Sequence, residues 1–135
     1  MTADDMAKLH KASFAPERGW NAAEFENFLR APHCEVFSRA GGFALLSVIA
    51  GEAELLTLAV HPERRRQGIA DAIMKEWMQA VDAGTAHLEV AADNEAALSL
   101  YAKHGFSCVG RRRAYYTRPG GTPVDAVLMQ ASLRL

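Results

Sequence analysis

Cysteine is scarce in this chain of 135 residues, which carries only Cys34 and Cys108. Two thiols so far apart build no disulfide framework and no Cys-x-x-Cys zinc or redox motif. Long apolar runs are missing as well: the longest, Phe43 to Ala50, falls well short of the roughly 20 residues a membrane-spanning helix needs. The amino terminus, Met1-Thr2-Ala3-Asp4-Asp5, lacks the basic-then-apolar layout of a signal peptide, so a cytoplasmic protein with no membrane partner is expected. Neither Gly-x-Gly-x-x-Gly nor Gly-x4-Gly-Lys-Ser/Thr occurs, which argues against NAD and against ATP with magnesium. His10, His33, His61, His87 and His104 are too widely spaced to pair on one helix turn, and no metal is expected.

Half of the residues are hydrophobic, and 15 basic side chains stand against 16 acidic ones, a net charge of −1. A chain of this length buries about two-thirds of its unfolded surface, enough for a single globular domain over 1–135 without a covalent or metal staple. The cations are unevenly placed: Arg64, Arg65 and Arg66 form one cluster, and Arg111, Arg112, Arg113 and Arg118 another. Such clusters hold an anion or form a solvated basic surface.

Two helices come first. Ala3 to Phe14 places Met6, Leu9, Phe14 and the stem of Lys11 near one face, and Asn21 caps a second helix with Glu24 three residues on, closed by Pro32. Glu35 to Ala40, a Gly41-Gly42 turn and Phe43 to Ala50 read as a hairpin, and Gly51 starts a further strand running to Val60. Ile69, Ile73, Trp77 and Val81 line one face of a third helix beginning near Gly68. A short strand, Ala86 to Ala91, precedes a fourth helix capped by Asp93 or Asn94 and stopped at Lys103-His104-Gly105. Ser107 to Tyr116 and Val124 to Leu133 complete the sheet across a Thr117-to-Pro123 loop. The order ααβββαβαββ predicts an α/β (α+β) fold, a mixed sheet flanked by helices.

Arg65-Arg66-Gln67-Gly68-Ile69-Ala70 lies where a strand hands over to a helix. The first backbone N–H groups of a helix lack internal partners and carry the positive end of its dipole, while Gly68 and Ala70 let a diphosphate approach the backbone. An ordinary capped helix with exposed arginines is the alternative.

The stretch Leu58-Ala59-Val60-His61-Pro62 followed by Arg65-x-x-Gly68-x-Ala70 resembles the acetyl-coenzyme A loop of the GNAT acetyltransferases. Leu88-Glu89-Val90, Asp93-Asn94-Glu95-Ala96-Ala97 and Leu100-Tyr101-x-x-x-Gly105-Phe106 resemble the second half of that fold. Arg112-Arg113-Ala114-Tyr115-Tyr116 and Val124-Asp125-Ala126 with Met129 are similar to the RimI-type ribosomal-protein alanine N-acetyltransferases. The resemblance implies a GNAT fold, with a mostly antiparallel sheet of about six strands and four helices. It departs at the start, where the first edge strand is short or missing.

The resemblance further implies acetyl-coenzyme A as co-substrate, held by Leu58, Val60, Arg65, Arg66, Gln67, Gly68, Ile69, Ala70, Asp71 and Asn94. Glu89 is the expected base, with Glu54 as rival or acceptor contact, and Tyr101 the expected acid at the departing thiolate. Tyr115 and Tyr116, adjacent on a strand and so facing opposite sides, are expected with the following loop at the peptide entry. Direct attack by an amine needs no enzyme nucleophile, so Cys34 and Cys108 are expected as packing residues. The expected acceptor is a protein N-terminal amine, that of ribosomal protein S18, used by a monomer. A small amine or a protein lysine is the alternative acceptor. RNA binding by the arginine clusters is a third reading, disfavoured because basic and aromatic residues do not interleave.

Overall fold

Thr2 and Asp5 open the first helix by capping each other, the Thr2 amide donating to Asp5 Oδ2 at 2.9 Å and the Asp5 amide to Thr2 Oγ1 at 3.1 Å. The structure is a computed structural model that describes residues 1–14, 19–117 and 120–133. Arg118 of the second arginine cluster therefore lies outside the described residues, as does part of the Thr117-to-Pro123 loop. Helix α1 spans Ala3–Phe14 and α2 spans Ala22–Arg30. At the start of α2, Asn21 Oδ1 accepts from the Glu24 amide at 2.9 Å while Glu24 Oε1 accepts from the Asn21 amide at 3.2 Å. The helix ends at Ala31, whose extended conformation is the one a residue before proline prefers.

Strands β1 (Cys34–Arg39), β2 (Gly42–Ile49) and β3 (Glu52–Val60) form an antiparallel meander. Ala50 and Gly51 both have positive φ, 51° and 81°, as a two-residue primed hairpin requires, so Gly51 belongs to the turn and β3 begins at Glu52. A 3₁₀ turn (Pro62–Arg64) leads to α3 (Ile69–Ala80), then β4 (Thr85–Ala91), α4 (Glu95–Lys103), β5 (Ser107–Tyr116) and β6 (Val124–Ser132). The sheet order is β1-β2-β3-β4-β6-β5, and β3 with β4 is its one parallel pair. Among the described residues no strand precedes α1, and no helix is long and apolar enough to cross a membrane.

Each face of the sheet carries its own core. Met6 and Phe25 from α1 and α2 pack on Phe43, Leu45 and Ala59, whereas Ile73, Met74, Trp77 and Tyr101 from α3 and α4 pack on Ala44, Leu46, Leu88 and Val90. The α1 face departs from the sequence expectation: Lys11 is exposed and His10 is buried in its place. The His10 ring stacks on Trp20 at 5.0 Å, its Nδ1 accepts from the Trp20 amide at 3.0 Å, and its Nε2 lies 3.0 Å from Thr57 Oγ1. With its ring stacked and both nitrogens engaged, an imidazole fills a core position that a lysine stem does not. Cys34 is half-buried, but Cys108 is exposed on the edge strand β5, so the packing role holds for Cys34 alone.

Candidate active site

The parallel pairing of β3 with β4 stops almost as soon as it starts. Only Glu52–Thr85, Ala53–Ala86 and Glu54–His87 face each other, so among the described residues Leu55–Val60 and Leu88–Ala91 have strand partners only on their outer sides. The sheet opens there into a cleft whose walls are two strand edges. Parallel strands place ligands beyond their carboxyl ends, and unpaired backbone groups need hydrogen-bonding partners. Leu58 and Val60 stand on one wall.

A bulge marks the mouth of the cleft. Leu45 pairs with Thr57 and Leu46 with Leu55, so the Leu56 peptide lies outside both ladders. The sequence carried a faint sign of this, because Leu55-Leu56 breaks the alternation that runs from Glu52 to Leu55.

Beyond β3, His61 Nδ1 accepts from the Glu63 amide at 3.1 Å, Arg64 Nε donates to Gln67 Oε1 at 3.1 Å, and Arg65 Nη2 donates to the Ser13 carbonyl at 2.8 Å. Two of the three clustered arginines therefore brace the loop, and Arg66 keeps its guanidinium free among the described residues. Arg66 and Gly68 both have left-handed backbones, with φ of 63° and 77°. For a non-glycine residue that conformation costs on the order of 1–3 kcal/mol, a strain that accumulates at binding sites. Gly68 ends the turn without a side-chain cap, so the first amides of α3, at Ile69, Ala70 and Asp71, form an uncapped positive helix end. The Asp71 side chain turns instead to Lys103 (2.9 Å), His104 (2.9 Å) and Lys75 (3.2 Å), tying α3 to the end of α4.

Glu89 and Tyr101 lie on opposite faces of the sheet. Leu88 and Val90 point into the α3/α4 core, so Glu89 between them projects onto the face that carries α1 and α2. Among the described residues the core under those two helices draws none from β4, β5 or β6, and Glu89 is open to solvent at 28% of its side chain. Glu54, exposed, projects onto the same face. Tyr101 is buried on α4 among the other core, edge-on to Phe106 with centroids 6.0 Å apart. Burial, with a smaller contribution from the Tyr116 charge, pushes its phenol up to about 12, so it keeps its proton at neutral pH. Asn94 caps α4, its Oδ1 accepting from the Ala97 amide at 3.2 Å.

Tyr115 and Tyr116 break the expected alternation. Ala114 takes a left-handed φ of 50°, its amide donates to Asp125 Oδ1 at 2.9 Å, and the β5–β6 register slips between Arg112 and Tyr116. The two rings consequently meet edge to face at 5.2 Å instead of parting across the sheet. Tyr115 is exposed and Tyr116 half-buried.

Residues 31–108 match the acetyltransferase (GNAT) domain family. The N-alpha-acetyltransferase RimI of Mycobacterium tuberculosis is 35% identical over 133 residues, covering 92% of this chain and 82% of that protein. The [ribosomal protein bS18]-alanine N-acetyltransferase of Escherichia coli K12 is 35% identical over 94 residues, covering 67% of this chain and 63% of that protein. Among solved structures, the ribosomal-protein-S18-alanine N-acetyltransferase from Escherichia coli aligns with a TM-score of 0.85 at 28% identity, covering 96% of this chain and 86% of that one. Arabidopsis thaliana NAA60 in complex with acetyl-CoA shares the fold, with a TM-score of 0.79 at 21% identity, covering 96% of this chain and 92% of that one.

Proposed function

The chain belongs to the GNAT acetyltransferases, and from that premise we propose that it moves an acetyl group from acetyl-coenzyme A to the N-terminal amine of a protein, the terminal alanine of ribosomal protein S18. The observation that carries this reading is the early parting of β3 from β4, with the Glu89 carboxylate partly exposed on one face of the sheet and the Tyr101 phenol held protonated in the core on the other. The class of acceptor, a terminal α-amine, follows the Mycobacterium tuberculosis N-alpha-acetyltransferase RimI, and the S18 alanine is taken from the Escherichia coli bS18-alanine enzyme. In this reading residues 1–135 act as one catalytic domain, a cytoplasmic monomer.

The coenzyme fits the residues present. The uncapped start of α3 from Arg66 to Asp71 suits a diphosphate, and Arg65 and Gln67 hold the loop that presents it. The inner edges at Leu58 and Val60 offer backbone partners to the amide-bearing arm, and Asn94 the free half of its side-chain amide. When bound, the thioester supplies an activated acetyl carbon. A terminal amine has a reference pKa of about 8 and arrives largely protonated. Glu89 takes that proton, and the freed nitrogen attacks the acyl carbon. The Leu56 peptide, outside the ladders, is the donor for the oxygen that gains charge; such a donor contributes about 10²–10³ in rate. As the carbon–sulfur bond breaks, Tyr101 gives its proton to the leaving sulfur and recovers one from the new amide nitrogen. Glu54, Tyr115 and Tyr116 line the acceptor side.

The test is transfer of labelled acetyl to a peptide with the S18 N-terminal sequence, against the same peptide with a blocked terminus and a panel of polyamines and amino sugars. Label on the free terminus alone supports the reading. Preferential labelling of the small amines, or of an internal lysine, overturns the acceptor.

A further inference from the structure

Among the described residues Glu89 has one side-chain partner, and it comes from the edge strand of the sheet. Arg112 Nη2 lies 3.1 Å from Glu89 Oε1, while Oε2 has no partner among the described residues. Arg112 sits on the edge strand β5, two strands from β4, opposite Ala126 of β6, which in turn faces Ala91 of β4. These alanines give the arginine stem a low path across β6 to a carboxylate two residues back along β4. Its guanidinium also stands over the Tyr115 ring, 5.4 Å from the centroid, a favourable cation–π position.

The turn that makes this possible is anchored separately. The Ala114 amide is held by Asp125 Oδ1 at 2.9 Å, and Asp125 Oδ2 lies 3.7 Å from Arg111 Nε. The left-handed Ala114 swings Tyr115 back toward Arg112 instead of letting the strand alternate. One side chain therefore touches both a carboxylate at the cleft and an exposed aromatic ring beside it.

We propose that Arg112 is a positioning residue for the acetyl transfer: it occupies Glu89 Oε1, aims the free Oε2 at the incoming amine, and fixes Tyr115 as the adjoining wall of the acceptor path. The proposal rests on the reading of Glu89 as the base. An exposed ion pair adds little to stability, so its effect is orientational; a small misplacement of a reacting group lowers rate by as much as a hundredfold.

The experiment is a double-mutant cycle of Arg112→Gln and Glu89→Gln with the S18-type peptide, reading kcat and the KM for acetyl-coenzyme A, with coenzyme binding by calorimetry as the check on folding. Arg112→Gln is expected to lower kcat about tenfold with the coenzyme KM unchanged, and Arg112→Lys to recover most of the loss. The double variant is expected to match Glu89→Gln alone, because Arg112 acts through that carboxylate. Should Arg112→Gln fail to bind coenzyme, Arg112→Met takes its place in the cycle. An Arg112 variant at wild-type kcat beside an impaired Glu89→Gln, or losses that multiply in the double variant, overturns the proposal and leaves the base assignment standing. A fully active Glu89→Gln overturns both.

Discussion

The carboxylate of Asp71 in the first turn of α3 lies 2.9 Å from the ring nitrogen of His104, just beyond the end of α4, and the same carboxylate holds Lys103. Hydrogen bonds from Lys103, then His104, then Lys75 keep the Asp71 carboxyl well below its ordinary 3.8. A carboxyl whose folded value is lowered stabilises fully above its unfolded value and loses that contribution as pH falls through the folded one. Asp71→Asn is therefore expected to melt at lower temperature at pH 7, with the gap to wild type closing as pH drops from about 5 towards 2. Calorimetric melts across that range check it; a pH-independent gap refutes the electrostatic account.

Removing only the phenolic oxygen of Tyr101 separates chemistry from packing. Tyr101→Phe keeps the ring against Phe106 and is expected to lose about a hundredfold or more in turnover, as a lost general acid does, with coenzyme affinity unchanged. Ultraviolet difference titration is expected to show a tyrosine ionisation near 12 in the wild type that the variant loses. Wild-type turnover with chemistry limiting makes Tyr101 a packing residue.

Gly68 tests the diphosphate site. A β-carbon there meets nothing within 4 Å, so the penalty of a side chain is the left-handed φ of 77°. Gly68→Val is expected to weaken coenzyme binding by tenfold or more, about 1.4 kcal/mol. Gly68→Asn, which tolerates that conformation better, is expected to keep most of the affinity. Equal affinities in all three proteins, measured by calorimetry, place the diphosphate elsewhere.

Glu89→Gln and Glu54→Gln divide the two carboxylates. The base's variant is expected to lose most rate at neutral pH and to recover as pH approaches the amine's own value of about 8, where the nucleophile forms unaided. That signature is expected from Glu89, and a mild, pH-independent loss from Glu54. The reverse pattern in pH–rate profiles exchanges their roles.

Signals confined to a few neighbouring residues were readable in the chain. The Asn21–Glu24 box, the Gly68 start of α3 and the Gly105 stop each depend on local backbone geometry, and the strands ran within a residue or two of their expected limits. Contacts closed by the fold were not readable. The Arg112–Glu89 pair joins residues on strands separated by β6, and His10 reaches Thr57 from a different element. The bulges at Leu56 and Ala114 each reverse which side of the sheet a residue faces, so strict alternation misplaced the tyrosine pair.

The gap between β3 and β4 gives this sheet two interior margins in addition to its outer ones, and their backbone groups call for partners from a bound molecule or water. A molecule that binds the native state alone stabilises it by RT ln(1 + [L]/Kd), about 2.7 kcal/mol at a hundredfold excess over Kd. Persistence of the folded enzyme thus becomes a function of how well supplied the cell is with coenzyme. When acetyl-coenzyme A runs low, the enzyme loses its substrate and part of its thermodynamic protection together, so abundance and activity decline in step.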